Sequence, residues 1–291
     1  MALQLMKKIL TDALKGGYAV GYFEPWDQYS TEAIVRAAED MNSPVIIGCG
    51  ALMMNQKWFD HWGMEALAKI GEVIAKRSKV DTCLILNEAL SFDQIVLGLK
   101  YGFNAVMLDS SHLPFEENMQ ITKKVVKEAH AAGADVEAEL GRLPMGTDKE
   151  AGMELTDPDQ AAEFIERTGA DALAVSVGNV HVRQHGKSEI DFHRLQRIST
   201  KVHVPLVIHG TTGLSDDSVK KAIPCGVAKF NVGTALKKAF LDGVKEAVSV
   251  IGEDVNPQTV IGSRKKSDIL FHACDRISLE VKRFIAMFTD N

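Results

Sequence analysis

Cysteine is scarce in this chain and scattered: Cys49, Cys83, Cys225 and Cys274 show no C-x-x-C spacing. Three of them sit beside apolar or glycine neighbours as buried free thiols usually do, and the set does not read as a disulfide framework. No apolar run approaches the ~20 residues needed to span a bilayer. The opening "MALQLMKKILTDALKGG" lacks a long apolar stretch and a small-residue cleavage site, and it reads as an amphipathic helix that stops at Gly16 and Gly17. Runs of one charge are missing too. With a net charge of −6 and both signs interleaved, neither a nucleic-acid nor a membrane surface is expected. Low-complexity segments and long linkers are absent. These absences leave a soluble, cytoplasmic protein whose partners are small molecules or other copies of itself.

What is present is regular. Short β-prone apolar runs recur at 20–22, 45–48, 83–86, 105–108, 135–138, 172–177, 205–208 and 228–232, each followed by a loop and a helical pattern. Segments such as "STEAIVRAAEDM", "FDQIVLGLKYG" and "DPDQAAEFIERTG" open with Ser, Asp or Phe-Asp and close at Gly or Met, largely following the asymmetry of helix caps. Eight strand–helix units in a chain of this length predict a (β/α)8 TIM barrel, with residues 1–291 as a single domain. A doubly wound sheet would want a Gly-rich turn after its first strand, and "YFEPWDQYS" is not one. The piece beyond Asn256 predicts an additional C-terminal helix, packed outside the barrel or against a partner subunit.

In such a barrel the reactive groups stand where strands end and loops begin. Those positions hold Glu24, Asn87 and Glu88, Asp109, Glu137 and Glu139, His181, His209 and Asn231. Two His and several carboxylates from different strands have the composition of a divalent-metal site. His61, His130, His203 and His272 fall in helical or edge contexts that suit a solvated or packed ring. "IHGTTGLSDDS" and "KFNVGTALKKAF" place Gly210, Thr212, Gly213, Gly233 and Thr234 at helix starts. Two adjacent turns of this kind can make a phosphate cup, or they are ordinary tight loops with a Thr cap. Lys229, the one strand-borne lysine, reads as a structural ion pair.

The segments "SHLPFEENMQITKKVVKEAHAAG", "VEAELGRL", "TDPDQAAEFIERTGADALAVSVG", "IDFHRL", "PLVIHGTTGL" and "VAKFNVGTALKKAF", in this order, resemble the class II, metal-dependent ketose-bisphosphate aldolases of the fructose- and tagatose-bisphosphate type. The resemblance implies a metal-dependent lyase of carbohydrate metabolism that cleaves or forms a carbon–carbon bond in a phosphorylated ketose, releasing dihydroxyacetone phosphate. It implies a divalent metal, zinc foremost with manganese, cobalt or iron as alternatives, and a homo-oligomer, dimer or tetramer. His181 and His209 match two of the family's three metal-binding His. The third belongs to a His-Leu-Asp-His segment whose Asp is the acid/base, and this chain has Ile85-Leu86-Asn87-Glu88 there.

Glu88 is therefore expected as the third ligand, in a two-His, one-carboxylate set. Asp109 and Glu139 are expected to orient the His rings from behind. Asn87 can hold a hydroxyl but cannot take its proton, so the proton-transfer candidates become Glu24 and, in the polar loop "GRLPMGTDKEAGME", Asp148 and Glu150. Gly210, Thr211, Thr212, Asn231, Gly233 and Thr234 are expected to bind phosphate and hydroxyls. Val182 and His185 replace the usual Gly and Lys in the loop that carries His181. Rival expectations are a non-catalytic sugar-phosphate binder or auxiliary subunit, and a metal-dependent epimerase or isomerase.

Overall fold

The computed structural model describes residues 3–144, 153–180 and 188–289. Eight parallel strands close into a barrel in simple chain order. They are β1 Val20–Phe23, β2 Val45–Gly50, β3 Thr82–Ala89, β4 Ala105–Leu108, β5 Asp135–Leu140, β6 Ala172–Val175, β7 Leu206–Ile208 and β8 Val227–Val232. The helices are α1 Met6–Gly16, α2 Gln28–Asp40, the short α3 Gln56–Trp58, α4 Met64–Arg77, α5 Phe92–Tyr101, α6 Phe115–Ala131, α7 Pro158–Thr168, α8 Phe192–Ser199, α9 Asp216–Ala222, α10 Thr234–Ser249, the single turn α11 Pro257–Val260 and α12 Ile269–Thr289. None among the described residues is long and apolar enough to cross a membrane.

Strand alternation divides the apolar residues into two cores. Val20, Tyr22, Ile46, Cys83, Ile85, Ala172, Ala174 and Val207 fill the barrel interior, where α1 adds Met6, Ile9, Leu10 and Ala13. Their i, i+3, i+4, i+7 spacing gives α1 one apolar face, and that face closes the foot of the barrel. Alternate residues such as Phe23, Leu84, Leu86, Leu173 and Phe230 form the larger outer core under the helices. At the contact of β2 with β3, Gly48 has φ 155° and a Cβ there would lie 1.8 Å from the Ile85 carbonyl oxygen, so only glycine allows these strands to pair.

The C-terminal helix lies outside the strands, as one of the two alternatives expected for it, and it is deeply buried. Phe288 of α12 stacks on Phe230 of β8, with centroids 5.0 Å apart, and on Phe23 of β1 at 6.4 Å. α12 is held in place by Asp268, the residue before it, which is fully buried. Its Oδ1 accepts from the backbone N–H of Leu270 at 3.0 Å and Phe271 at 3.4 Å, and its Oδ2 from that of Arg264 at 2.8 Å. Burial alone would raise its pKa, but these N–H bonds outweigh burial and hold it below the ordinary value.

Asp268→Ala is accordingly expected to cost about 2 kcal/mol, the upper range for loss of an N-cap. Because the folded pKa is depressed, the Asp268 contribution is complete above its unfolded pKa and disappears as pH falls through the folded one. Urea melts should show wild type and variant differing at pH 7 and converging in acid; a gap of equal size at both pH values would contradict this role.

Candidate active site

β3 was expected to end at Leu86, with Asn87 and Glu88 in the following loop. It continues to Ala89 instead. Cys83 and Ile85 face the barrel interior and Leu84 and Leu86 the outer core, so Asn87 is next in the interior row, and it is 1% exposed. Ordinary alternation would then send Glu88 outward. The register against β4 slips between Leu86 and Ala89, and Glu88 adopts φ 52°, a left-handed conformation that costs an L-residue on the order of 1–2 kcal/mol. This bulge turns Glu88 inward as well, and its Oε1 lies 3.2 Å from His209 Nδ1. Bulges beside active sites re-aim side chains in this way.

His209 follows β7 directly and is completely buried. Its Nε2 meets Glu137 Oε1 at 2.9 Å, while Nδ1 faces both Glu88 at 3.2 Å and Glu139 Oε2 at 3.5 Å. Glu137 in turn pairs through Oε2 with Lys229 Nζ at 2.7 Å, and Lys229 donates to Asn231 Oδ1, also at 2.7 Å. Asn179 Nδ2 donates to the His209 carbonyl at 3.0 Å. The orienting carboxylate on the distal ring nitrogen is therefore Glu137, which the sequence shows only as one strand-end acid among several. Glu139, expected behind the ring, shares the Nδ1 side with Glu88. Asp109 accepts a hydrogen bond from Ser111 Oγ at 3.4 Å and acts on the site through its charge.

The electrostatics follow from packing these groups away from water. Burial pushes Glu139 up to about 8; the His209 charge opposes this, and the Asp109 and Glu88 charges reinforce it. His209 is lowered by burial, but hydrogen bonds to Glu137 and Glu88 and the Glu139 charge raise it overall to about 10. For Glu137 burial is outweighed by Lys229 and His209, and its pKa is lowered.

Two donors bound at 2.0–2.2 Å to a tetrahedral metal stand roughly 3.4 Å apart. The separations of 3.2 and 3.5 Å between His209 Nδ1 and its two carboxylates match that spacing, and Glu137 on Nε2 supplies the usual carboxylate behind a metal-binding His. Among the described residues no set of three His, Cys, Asp or Glu could hold a metal ion. Residues 145–152 and 181–187 are not among these described residues. His181 falls there, as do Val182 and His185 and the proton-transfer candidates Asp148 and Glu150; all five lie outside the described residues.

The remaining expected residues sit at the ends of β7, β8 and β1. Gly210 has φ 72° and opens a 3-10 turn, Thr211–Gly213. Thr212, Asn231, Gly233 and Thr234 are half-buried, and α10 begins at Thr234 with no side-chain cap and no acidic residue in its first turn. Glu24 accepts from Lys237 Nζ at 2.9 Å. Burial raises its pKa, opposed by Lys237 and reinforced by the Glu88 charge. Buried polar atoms normally find partners, yet Tyr22 Oη, Asn87 Oδ1 and Thr211 Oγ1 are buried without a hydrogen-bond partner among the described residues. Tyr22 was not anticipated as part of this region, because a lone interior Tyr reads as core.

A parallel eight-stranded barrel whose strand ends gather a buried His, three acidic side chains and two glycine-bearing turns carries its candidate active site where barrel enzymes carry theirs, at the ends of the strands. The model for "Fructose-bisphosphate aldolase class-II" matches residues 4–291, and the chain belongs to that family. It is 35% identical over 288 residues to the fructose-bisphosphate aldolase of Thermus caldophilus, covering 89% of this chain and 92% of that one. It is 35% identical over 266 residues to that of Geobacillus stearothermophilus, covering 90% and 91%. The crystal structure of the YdjI aldolase from Escherichia coli K12 superposes with a TM-score of 0.82 at 30% identity, covering 99% of this chain and 97% of that one. The protein is thus an aldolase-type lyase acting on a phosphorylated ketose, of a family generally dependent on a divalent metal.

Proposed function

We propose that Glu88 and His209, joined by His181, hold a divalent metal, zinc foremost and manganese, cobalt or iron as alternatives, beside a cup for the substrate phosphate. The observation that supports this most directly is the inward turn of Glu88 onto His209 Nδ1, at the cost of a left-handed backbone. When bound, the metal would polarise the ketose carbonyl as a Lewis acid. Glu137, fixed by Lys229, keeps the His209 ring in one orientation, with Nδ1 turned toward Glu88. The phosphate and hydroxyls belong to Gly210, Thr211, Thr212, Asn231, Gly233 and Thr234, with Val182 and His185 shaping the adjoining loop.

Cleavage begins with loss of a hydroxyl proton from the ketose. Asn87 carries no proton-accepting group near neutral pH, so its buried, unpartnered Oδ1 holds that hydroxyl instead. Proton transfer passes to another carboxylate, Glu24, Asp148 or Glu150. The chain acts as a single barrel domain, in the cytoplasm and as a homo-oligomer.

The test is proton exchange at the hydroxymethyl carbon of dihydroxyacetone phosphate, followed by NMR in heavy water with zinc, manganese or cobalt supplied in turn. Metal-dependent exchange is expected, together with a drop of roughly tenfold to a hundredfold in metal affinity for Glu88→Ala, at least the range seen when support of a metal ligand is lost. Phosphate binding without exchange under any metal would make the protein a sugar-phosphate binder.

A further inference from the structure

The residue after β1 brings an internal anion to the rim of the cup. Glu24 is tied by its backbone N–H to the Val232 carbonyl at 3.0 Å, which places its side chain beside the end of β8. A Cβ on Gly233 would lie 2.8 Å from Glu24 Oε2, and one on Gly50 3.2 Å from the same carboxyl group. A side chain at Gly233 would displace the carboxylate, and one at Gly50 would crowd it by a few tenths of an ångström. Gly233 is also the residue before α10, a helix of 16 residues with neither a side-chain cap nor an acidic first turn. Its leading N–H groups therefore keep their attraction for an anion. The counter-ion of Glu24 is Lys237, one turn into the same helix, with its side chain 43% exposed against 14% for Glu24.

We propose that Glu24 sets the charge the cup accepts, by competing with the substrate phosphate for Lys237 and for the start of α10. The inference rests on the reading of the cup as the phosphate site. A phosphate seated there meets a like charge at close range, and the cation that would neutralise it is already engaged. Phosphate binding then requires Glu24 to release Lys237, and the resident carboxylate lowers affinity for a dianion relative to a neutral or singly charged group. A residue of this kind narrows specificity through repulsion.

Titration of the metal-loaded, full-length protein with inorganic phosphate at constant ionic strength, read by calorimetry, tests the idea without turnover. Glu24→Gln is expected to tighten phosphate about tenfold, since the repulsion is lost and Lys237 is freed. Lys237→Met, at an exposed position that leaves folding intact, is expected to weaken it by a similar factor, and adding Glu24→Gln to that variant should restore binding. An unchanged or weaker affinity in Glu24→Gln would overturn the proposal, and so would an unchanged affinity in Lys237→Met. Absence of phosphate binding in wild type and all variants, with metal-dependent exchange of the ketone retained, would instead show that the cup itself is misassigned and remove the proposal along with it.

Discussion

His209→Ala is expected to lower kcat/KM by roughly 10³-fold or more, because the metal proposed to sit on this residue would supply several kcal/mol to the reaction and each 1.4 kcal/mol is one decade in rate. His209 is the point on which the site converges: Glu137 holds one ring nitrogen, and Glu88 and Glu139 face the other. Removing the ring takes away a donor and leaves Glu88 and Glu139 as neighbouring buried carboxylates with no cation between them. Metal content of the purified variant, measured by atomic emission, should fall to background while its far-ultraviolet dichroism stays native. Exchange of dihydroxyacetone phosphate protons should disappear with it. Full metal occupancy and normal exchange in His209→Ala would place the centre elsewhere.

Lys229→Met is expected to carry the largest stability loss. The Lys229 side chain and the Glu137 carboxylate are both fully buried and 2.7 Å apart, with the ammonium lying 5.1 Å over the Tyr22 ring. Methionine fills the same volume but leaves Glu137 with only His209 to balance its charge. Breaking one side of a buried pair costs about 3–5 kcal/mol, equivalent to a fall of roughly 10 °C in melting temperature for a chain of this size. Glu137→Gln in the same molecule removes the stranded charge and should recover part of the loss, so a double-mutant cycle gives a coupling of at least about 1 kcal/mol. A Lys229→Met protein that melts within a degree of wild type would contradict the role assigned to the pair. A second consequence separates this residue from mere packing: with Glu137 no longer anchored, the His209 ring loses its fixed orientation, and metal affinity should drop even at temperatures where the variant is folded.

How much of this was legible in the sequence depended on whether the signal was local. The eight strands stand where the apolar runs predict them, and α1 stops at Gly17, whose φ of 70° only glycine adopts freely. Strand-end polar residues such as Glu24, Asp109 and His209 fall where alternation and the barrel rule put them. The end of β3 was misread, because a bulge is set by pairing with β4 and leaves no mark in the strand's own residues. Glu137 and Glu139 illustrate the same limit: two acids on one face of one strand, identical in kind, of which one reaches Nε2 and the other Nδ1 of a residue seventy positions away. Lys229 was recognisable as a buried cation in need of a partner, but nothing local names Glu137 as that partner.

The sequence by itself determined the barrel, since hydrophobic period, helix caps and loop lengths are properties of neighbouring residues and are repeated eight times along the chain. Strand alternation also assigned most strand-end groups to a face, with Glu88 the exception, because its inward turn comes from the bulge against β4. Only the tertiary structure decided what those groups do to one another. Closing the barrel brings β3, β5, β7 and β8 together around His209, and the charges that meet there, their burial and their hydrogen bonds depend on distances of about 3 Å between residues far apart in the chain, which no local pattern encodes.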